Sequence, residues 1–230
     1  MMIKHYLKVA FRNLAKYKVQ SIVSILGLAV GFVCFALSTL WIRYEMTYDT
    51  FHEGAERIYL VRAHYAHEPG KISNSTPYPL ADYLQKGNPE IEAMASTSVQ
   101  KVKFRVKDTE KDVVSATADS VLMNFFNIRV LRGTVNFLKG TNGEIAITEE
   151  FSKRIFGEEE ALGREVEVSG HASKVGAIVS GWSSHSNIPY SILTSARHYT
   201  QWGSANENLF VRIRKGTNAV SYTHLTLPTK

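Results

Sequence analysis

The chain has 230 residues, of which 44% are apolar, with 11 Tyr and 11 Phe; this is enough to bury a core and excludes disorder along the whole length. Its one cysteine, Cys34, excludes an intramolecular disulfide. The net charge of +6 invites a nucleic-acid reading, but the excess is local: residues 1–18 hold Lys4, Lys8, Arg12, Lys16 and Lys18 and no acid, residues 43–218 balance, and Lys230 supplies the remainder. A nucleic-acid partner, which needs the excess on the folded domain, is excluded on that ground.

Residues 1–18 read as an amphipathic helix. Ile3, Leu7, Ala10, Phe11 and Leu14 share one face; Lys4, Lys8, Arg12 and Lys16 share another. Such a helix lies in a membrane interface, with its apolar face in lipid and its cations, Lys18 included, among anionic head groups. A helix seated on a cytoplasmic partner has the same pattern.

Residues 19–42 are 24 positions without a charge, between Lys18 and Arg43. At about 1.5 Å per residue they make roughly 36 Å of helix, enough to cross a hydrocarbon core of about 30 Å. Tyr17 on one flank and Trp41, Tyr44 and Tyr48 on the other are interfacial residues, and the preceding cations put the N-terminus in the cytoplasm. The rest of the chain is then extracytoplasmic. A cleaved signal peptide wants a shorter apolar core and a small-residue cleavage site, and Ser-Thr-Leu-Trp-Ile-Arg is a poor one. Gln20, Ser24, Gly27, Gly31, Cys34 and Ser38 fall within an arc of about 80° at 100° per residue. Small residues on one face let another helix approach closely, so this face is expected to meet other membrane helices; a lone anchor is the competing reading.

Beyond Arg43 the period changes. Residues 58–61 read as a strand, 64–76 as a loop rich in turn formers, and Pro79 opens a short helix ending near Gly87. Residues 100–107 alternate, with Val102, Phe104 and Val106 against Lys101, Lys103, Arg105 and Lys107, as a half-solvated strand does. Residues 107–112 are a polar turn, and 113–118 return as the hairpin mate. Asp119 or Ser120 caps a helix running to about Phe126. Extended segments follow at 129–132, 144–148, 164–168, 174–179 and 208–214, with a helix at 149–156 that starts on acids and ends on Lys153 and Arg154 before Gly157. Short strands and helices without regular βαβ alternation define an α+β domain over residues 43–218.

Catalytic and metal motifs are weak. His64-x-x-His67 offers two ligands where a closed site needs four. Ser183-Ser184-His185-Ser186 lacks the G-x-S-x-G context of a hydrolase. Glu158-Glu159-Glu160 reads as a solvated turn, since calcium needs oxygen ligands at alternating positions. Asn74-Ser75-Thr76 is a sequon that matters only in a eukaryotic secretory route. No G-x-x-x-x-G-K-[ST] occurs, so nothing here cradles nucleotide phosphates.

An ordered set of motifs resembles the FtsX-like, MacB-type ABC transporter permeases. Tyr48-Asp49-x-Phe51-His52 and Arg57-Ile58-Tyr59-x-Val61 come directly after the membrane helix. Pro79-Leu80-Ala81 and Pro89-Glu90-Ile91-Glu92 follow. Then come Asp119, Phe125-Phe126, Leu131-Arg132-Gly133, Ile145-Ala146-Ile147-Thr148, Phe156-Gly157, Leu162-Gly163-Arg164, Val175-Gly176 and Ser186-Asn187-Ile188-Pro189. The resemblance implies a porter-like subdomain with a smaller β-rich insertion. It marks Phe51, His52, Arg57, Tyr59, Gly133, Phe156, Gly157 and Gly163 as structural motif positions.

It also implies a permease subunit of a bacterial inner membrane with no catalytic centre, metal or cofactor of its own. ATP would be hydrolysed by a separate ATPase subunit. A second permease subunit and a periplasmic protein would be the other partners. Residues 219–230 (AVSYTHLTLPTK) read as a non-native tail on a chain cut short of the family's further membrane helices. The rival reading is a single-span anchored sensor or binding module.

Overall fold

The computed structural model describes residues 2–65, 70–107, 109–182, 185–197, 200–203 and 205–217. By its internal contacts the chain forms two units, residues 1–48 and 49–230.

The first unit is helical. α1 (Met2–Lys16) and α2 (Lys18–Met46) are separated by a break at Tyr17, where φ is −106° and ψ 58°. α2 is long and apolar enough, by length and composition, to cross a membrane. No residue of α2 is buried, and a Cβ added at Gly27 or Gly31 would meet nothing within 4 Å. Gln20, Ser24, Cys34 and Ser38 are likewise exposed. In α1, Lys8, Arg12 and Lys16 are exposed, and Lys16 sits 5.4 Å above the Tyr17 ring.

The second unit is the α+β domain. After a 3₁₀ turn at Ala55–Arg57 come β1 (Ile58–Leu60), a small hairpin of β2 (Ala63–His64) with β3 (Ile72–Ser73), β4 (Ser75–Pro77), α3 (Leu80–Gly87) and β5 (Ile91–Thr97). The chain then runs through β6 (Val99–Val106), β7 (Thr109–Ala118), α4 (Ser120–Phe125), β8 (Val130–Gly133), a 3₁₀ turn at Val135–Lys139, β9 (Glu144–Thr148), α5 (Glu149–Phe156), β10 (Glu165–Val168), β11 (His171–Val179) and β12 (Ile192–Ser195). It returns as β13 (Ala205–Ile213).

β13 is the hub of a four-stranded sheet, antiparallel to β1, β4 and β5. Everything from β6 to β12 is inserted into that sheet. The inserted strands follow the order β10-β6-β7-β12-β9-β11, and β11 pairs back onto β10, so six strands close on themselves as a barrel. β8 lies on the remaining length of β11. Closure removes free edges. Phe104, Ile147, Phe151, Val175 and Ile192, each at most 1% exposed, fill the barrel, with the Phe104 and Phe151 rings edge to face at 5.0 Å. A second cluster around Leu122, Phe125, Phe126 and Leu193 joins the barrel to the four-stranded sheet through Ala95, Ile58 and Phe210. Leu80, Leu84, Ile91, Met94 and Leu209 form a third under α3.

Most expected elements are present. β6 alternates as read, with Val102, Phe104 and Val106 turned in. Asp119 caps α4, accepting the Leu122 N–H at 2.7 Å. The 169–170 turn joins β10 to β11, with both residues at positive φ.

Four readings are corrected. The segment 64–76 is not only loop: it carries part of β2, all of β3 and most of β4, because the last of these strands finds its partner in distant β13. The polar turn at 107–112 is shorter, since β7 begins at Thr109, while Lys107 takes the left-handed conformation (φ 52°). The final strand starts at Ala205 rather than 208, paired with β4. β5, covered at every position but Glu92, and β12, covered along its length, show no alternation and are additional strands.

Candidate functional site

The segment that opens the second unit is held by long-range polar contacts. Asp49 has φ 56°, a left-handed conformation that Asp tolerates better than most residues. Its carboxylate accepts the Ser186 hydroxyl, the Asn187 amide N–H at 3.2 and 3.3 Å, and the Asn187 side-chain amide at 2.8 Å. Its own N–H donates to the His185 carbonyl at 3.2 Å. The Ser186 oxygen in turn accepts the Ile188 N–H at 3.2 Å. The Ser186 hydroxyl is therefore committed to a carboxylate and a turn rather than to an imidazole base, which argues against the nucleophile geometry that its Ser-His sequence neighbourhood suggests.

Three residues on, His52 enters an aromatic nest. Its ring lies 4.2 Å from Phe51, 4.9 Å from Phe126 and 4.8 Å from Trp182. Phe126 continues the stack to Phe210 at 5.2 Å, and Trp182 continues it to Tyr190 at 4.9 Å. Burial holds the His52 imidazole below its ordinary pKa; the Asp49 charge opposes that shift and Arg212 adds to it. Arg212 stacks 4.5 Å over Phe125 and donates to the Phe125 carbonyl. Nearby, burial and then Asp119 raise the Glu207 carboxyl. Burial, Asp119 and Glu207 push the Tyr78 hydroxyl up to about 12.

The other motif positions also find partners from separate motifs. Arg57 reaches Glu92 at 2.5 Å and the Ile213 carbonyl at 2.9 Å, tying the first motif to the second. Gly133 has φ 87°, and a Cβ there would stand 2.3 Å from the Gly176 oxygen, so β8 lies on β11 only because this residue has no side chain. Gly163, at φ 78°, donates its N–H to Val175 at 2.8 Å. Phe156 packs against the barrel core, and Gly157 ends α5 by donating to Lys153. Tyr59 stays exposed, its hydroxyl reaching the Glu56 carbonyl at 3.3 Å.

Asp49, His52, Phe126, Trp182 and Phe210 also line a cleft of about 480 Å³, completed by Ile58, Leu60, Arg62, Asn74, Asn187, Ile188 and Asn208, among others. Sequence reasoning missed Trp182, Arg62 and Asn208 as site residues, and had Phe126 only as a family-motif position. No local period or spacing marks them, because they converge only once β13 returns to β1. Among the described residues, no group of three His, Cys, Asp or Glu side chains is placed to hold a metal ion. His67, Ser183 and Ser184 lie outside the described residues, as does the tail from residue 218 onward. Glu159 and Glu160 form ion pairs with Arg164 and Arg132.

The sequence profile of the MacB-like periplasmic core domain matches residues 21–222. Three crystal structures share the fold. A domain of a protein assigned as a permease from Porphyromonas gingivalis aligns with a TM-score of 0.62 at 19% identity, covering 74% of this chain and 81% of that one. The extracellular domain of the noncanonic ABC-type transporter YknZ from Gram-positive bacteria aligns at 0.53 and 17%, covering 71% and 86%. The periplasmic region of MacB from Actinobacillus actinomycetemcomitans aligns at 0.52 and 13%, covering 72% and 78%. No curated protein matches the sequence. The chain belongs to the MacB-like periplasmic core domain family, a component of ABC transporter permeases. Permeases of this family work within ABC transporter complexes.

Proposed function

We propose that this chain is a permease subunit that converts ATP hydrolysis on a separate cytoplasmic ATPase subunit into movement of its core domain, for export or extraction of a substrate. The N-terminus is cytoplasmic, by the cations of residues 4–18, and the core domain is extracytoplasmic. The chain binds no cofactor; the nucleotide belongs to the partner. A second permease subunit and a periplasmic protein complete the assembly. The face of Gln20, Ser24, Gly27, Gly31, Cys34 and Ser38 is where other membrane helices seat.

The observation that carries this reading is the short path from helix to clasp. α2 ends at Met46, and three residues later Asp49 is tied to Ser186 and Asn187. A displacement of the helix then has almost no slack to absorb it before it reaches the domain. The full chain, tagged and isolated in a lipid nanodisc from its native membrane, is expected to bring ATP hydrolysis with it. Asp49→Ala should keep that hydrolysis and lose transport. A chain that isolates alone, without an ATPase, would overturn the reading in favour of an anchored sensor. Gly27→Leu with Gly31→Leu is expected to abolish association with other membrane helices; unchanged association would count against the seam.

A further inference from the structure

We propose that the cleft beside His52 is a binding site for a small organic acid with an apolar body. The inference does not depend on the transport reading. Much of the lining is apolar: Phe126, Trp182, Phe210, Ile58, Leu60 and Ile188 border it. The lining also includes a cation. Arg62, in the two-residue gap between β1 and β2, is exposed and makes no ion pair or hydrogen bond among the described residues. Asn74 and Asn208 border the same space.

The acid on the rim, Asp49, is already engaged. The Asp49 carboxylate is saturated by donors from Ser186 and Asn187, so it offers little to a ligand cation. The Trp182 Nε1–H is buried and has no acceptor among the described residues, so it is the ring face rather than the N–H that the cleft offers. A free cation beside two asparagines calls for an acceptor-rich anion, and the aromatic wall calls for an apolar body.

Size narrows the class. The volume of about 480 Å³ lies in the range of small-molecule sites, about 300–1,000 Å³. It corresponds to roughly sixteen water-sized groups at about 30 Å³ each. Trp182 also borders a second hollow of about 150 Å³ near Phe151 and Tyr190, too small for such a ligand.

The test uses the full chain in nanodiscs of neutral lipid, with 2-naphthoate as probe and calorimetry as readout. Wild type should bind saturably, and the neutral 2-naphthamide should bind more weakly. Arg62→Gln, whose side chain holds nothing in the fold, should weaken 2-naphthoate by roughly tenfold while leaving 2-naphthamide unchanged. Absence of saturable binding, or equal affinity for acid and amide, overturns the proposal, as does Arg62→Gln binding the acid as tightly as wild type. Discs containing anionic lipid separate two sources of the same chemistry. If that lipid competes with the probe in wild type but not in Arg62→Gln, the ligand is a lipid head group; if it does not compete, the ligand is a soluble acid.

Discussion

Each of the six barrel strands has a neighbour on both sides, whereas in the four-stranded sheet β13 supplies every pairing. The barrel spans residues 99–195 and closes through hairpins and two parallel pairs, β9 with β11 and β7 with β12. The flanking sheet joins the two ends of the domain, Ile58 opposite Arg212. Closing so long a loop costs entropy before any contact repays it. The barrel can rely on its apolar filling. The sheet adds polar clasps at its seams, Asp49 on Ser186 and Asn187, and Arg57 on Glu92. The difference teaches where the domain can yield: a unit with closed edges behaves as a block, and the clasped sheet is the part that opens first.

Breaking the barrel should cost most. Phe104→Ala empties a site that is 1% exposed and is expected to lower unfolding free energy by about 4 kcal/mol in urea titration. Gly133→Ala comes next, at about 3 kcal/mol, because it combines an unfavourable positive φ with a clash on the Gly176 carbonyl. Its hydrogen exchange should rise along β8 while β6 and β7 stay protected.

Asp49→Ala attacks the other region. It leaves the Ser186 hydroxyl and Asn187 amide without their acceptor and should cost about 2 kcal/mol. Exchange should rise at residues 58–60 and 185–190 and stay unchanged in the barrel; equal loosening of both regions would erase the distinction. Asp49→Asn keeps an acceptor and tolerance of positive φ, so it should be milder.

The smallest effect is a pH dependence confined to the sheet side. Because the folded His52 pKa is depressed, the neutral ring is the favoured form. Its contribution is complete above the ordinary value of 6.5 and is lost as pH falls from 6.5 through the lower folded value. Glu207 has the opposite sign, since its folded pKa is raised: its contribution is complete below the ordinary 4.5 and is lost as pH rises through the folded value. In thermal unfolding across that range, His52→Phe should remove the loss below pH 6.5 and leave the Glu207 trend in place.

Local chemistry alone determined much of this molecule. The 24 uncharged residues of α2, the alternation of β6, the Asp119 cap and the acidic start of α5 depend on neighbours within a few positions, so period and capping reveal them. The ordered motifs were legible as a family pattern. What they do was not, because each motif residue acts on a partner in another motif: Asp49 on Ser186, Arg57 on Glu92, Gly133 on Gly176. Closure of the barrel, the identity of β5 and β12 as strands, and the cleft that gathers Arg62, Trp182 and Asn208 were decided only by the tertiary structure. Strand pairing and cavity lining are properties of distant segments brought side by side, and no local signal encodes which segments those are.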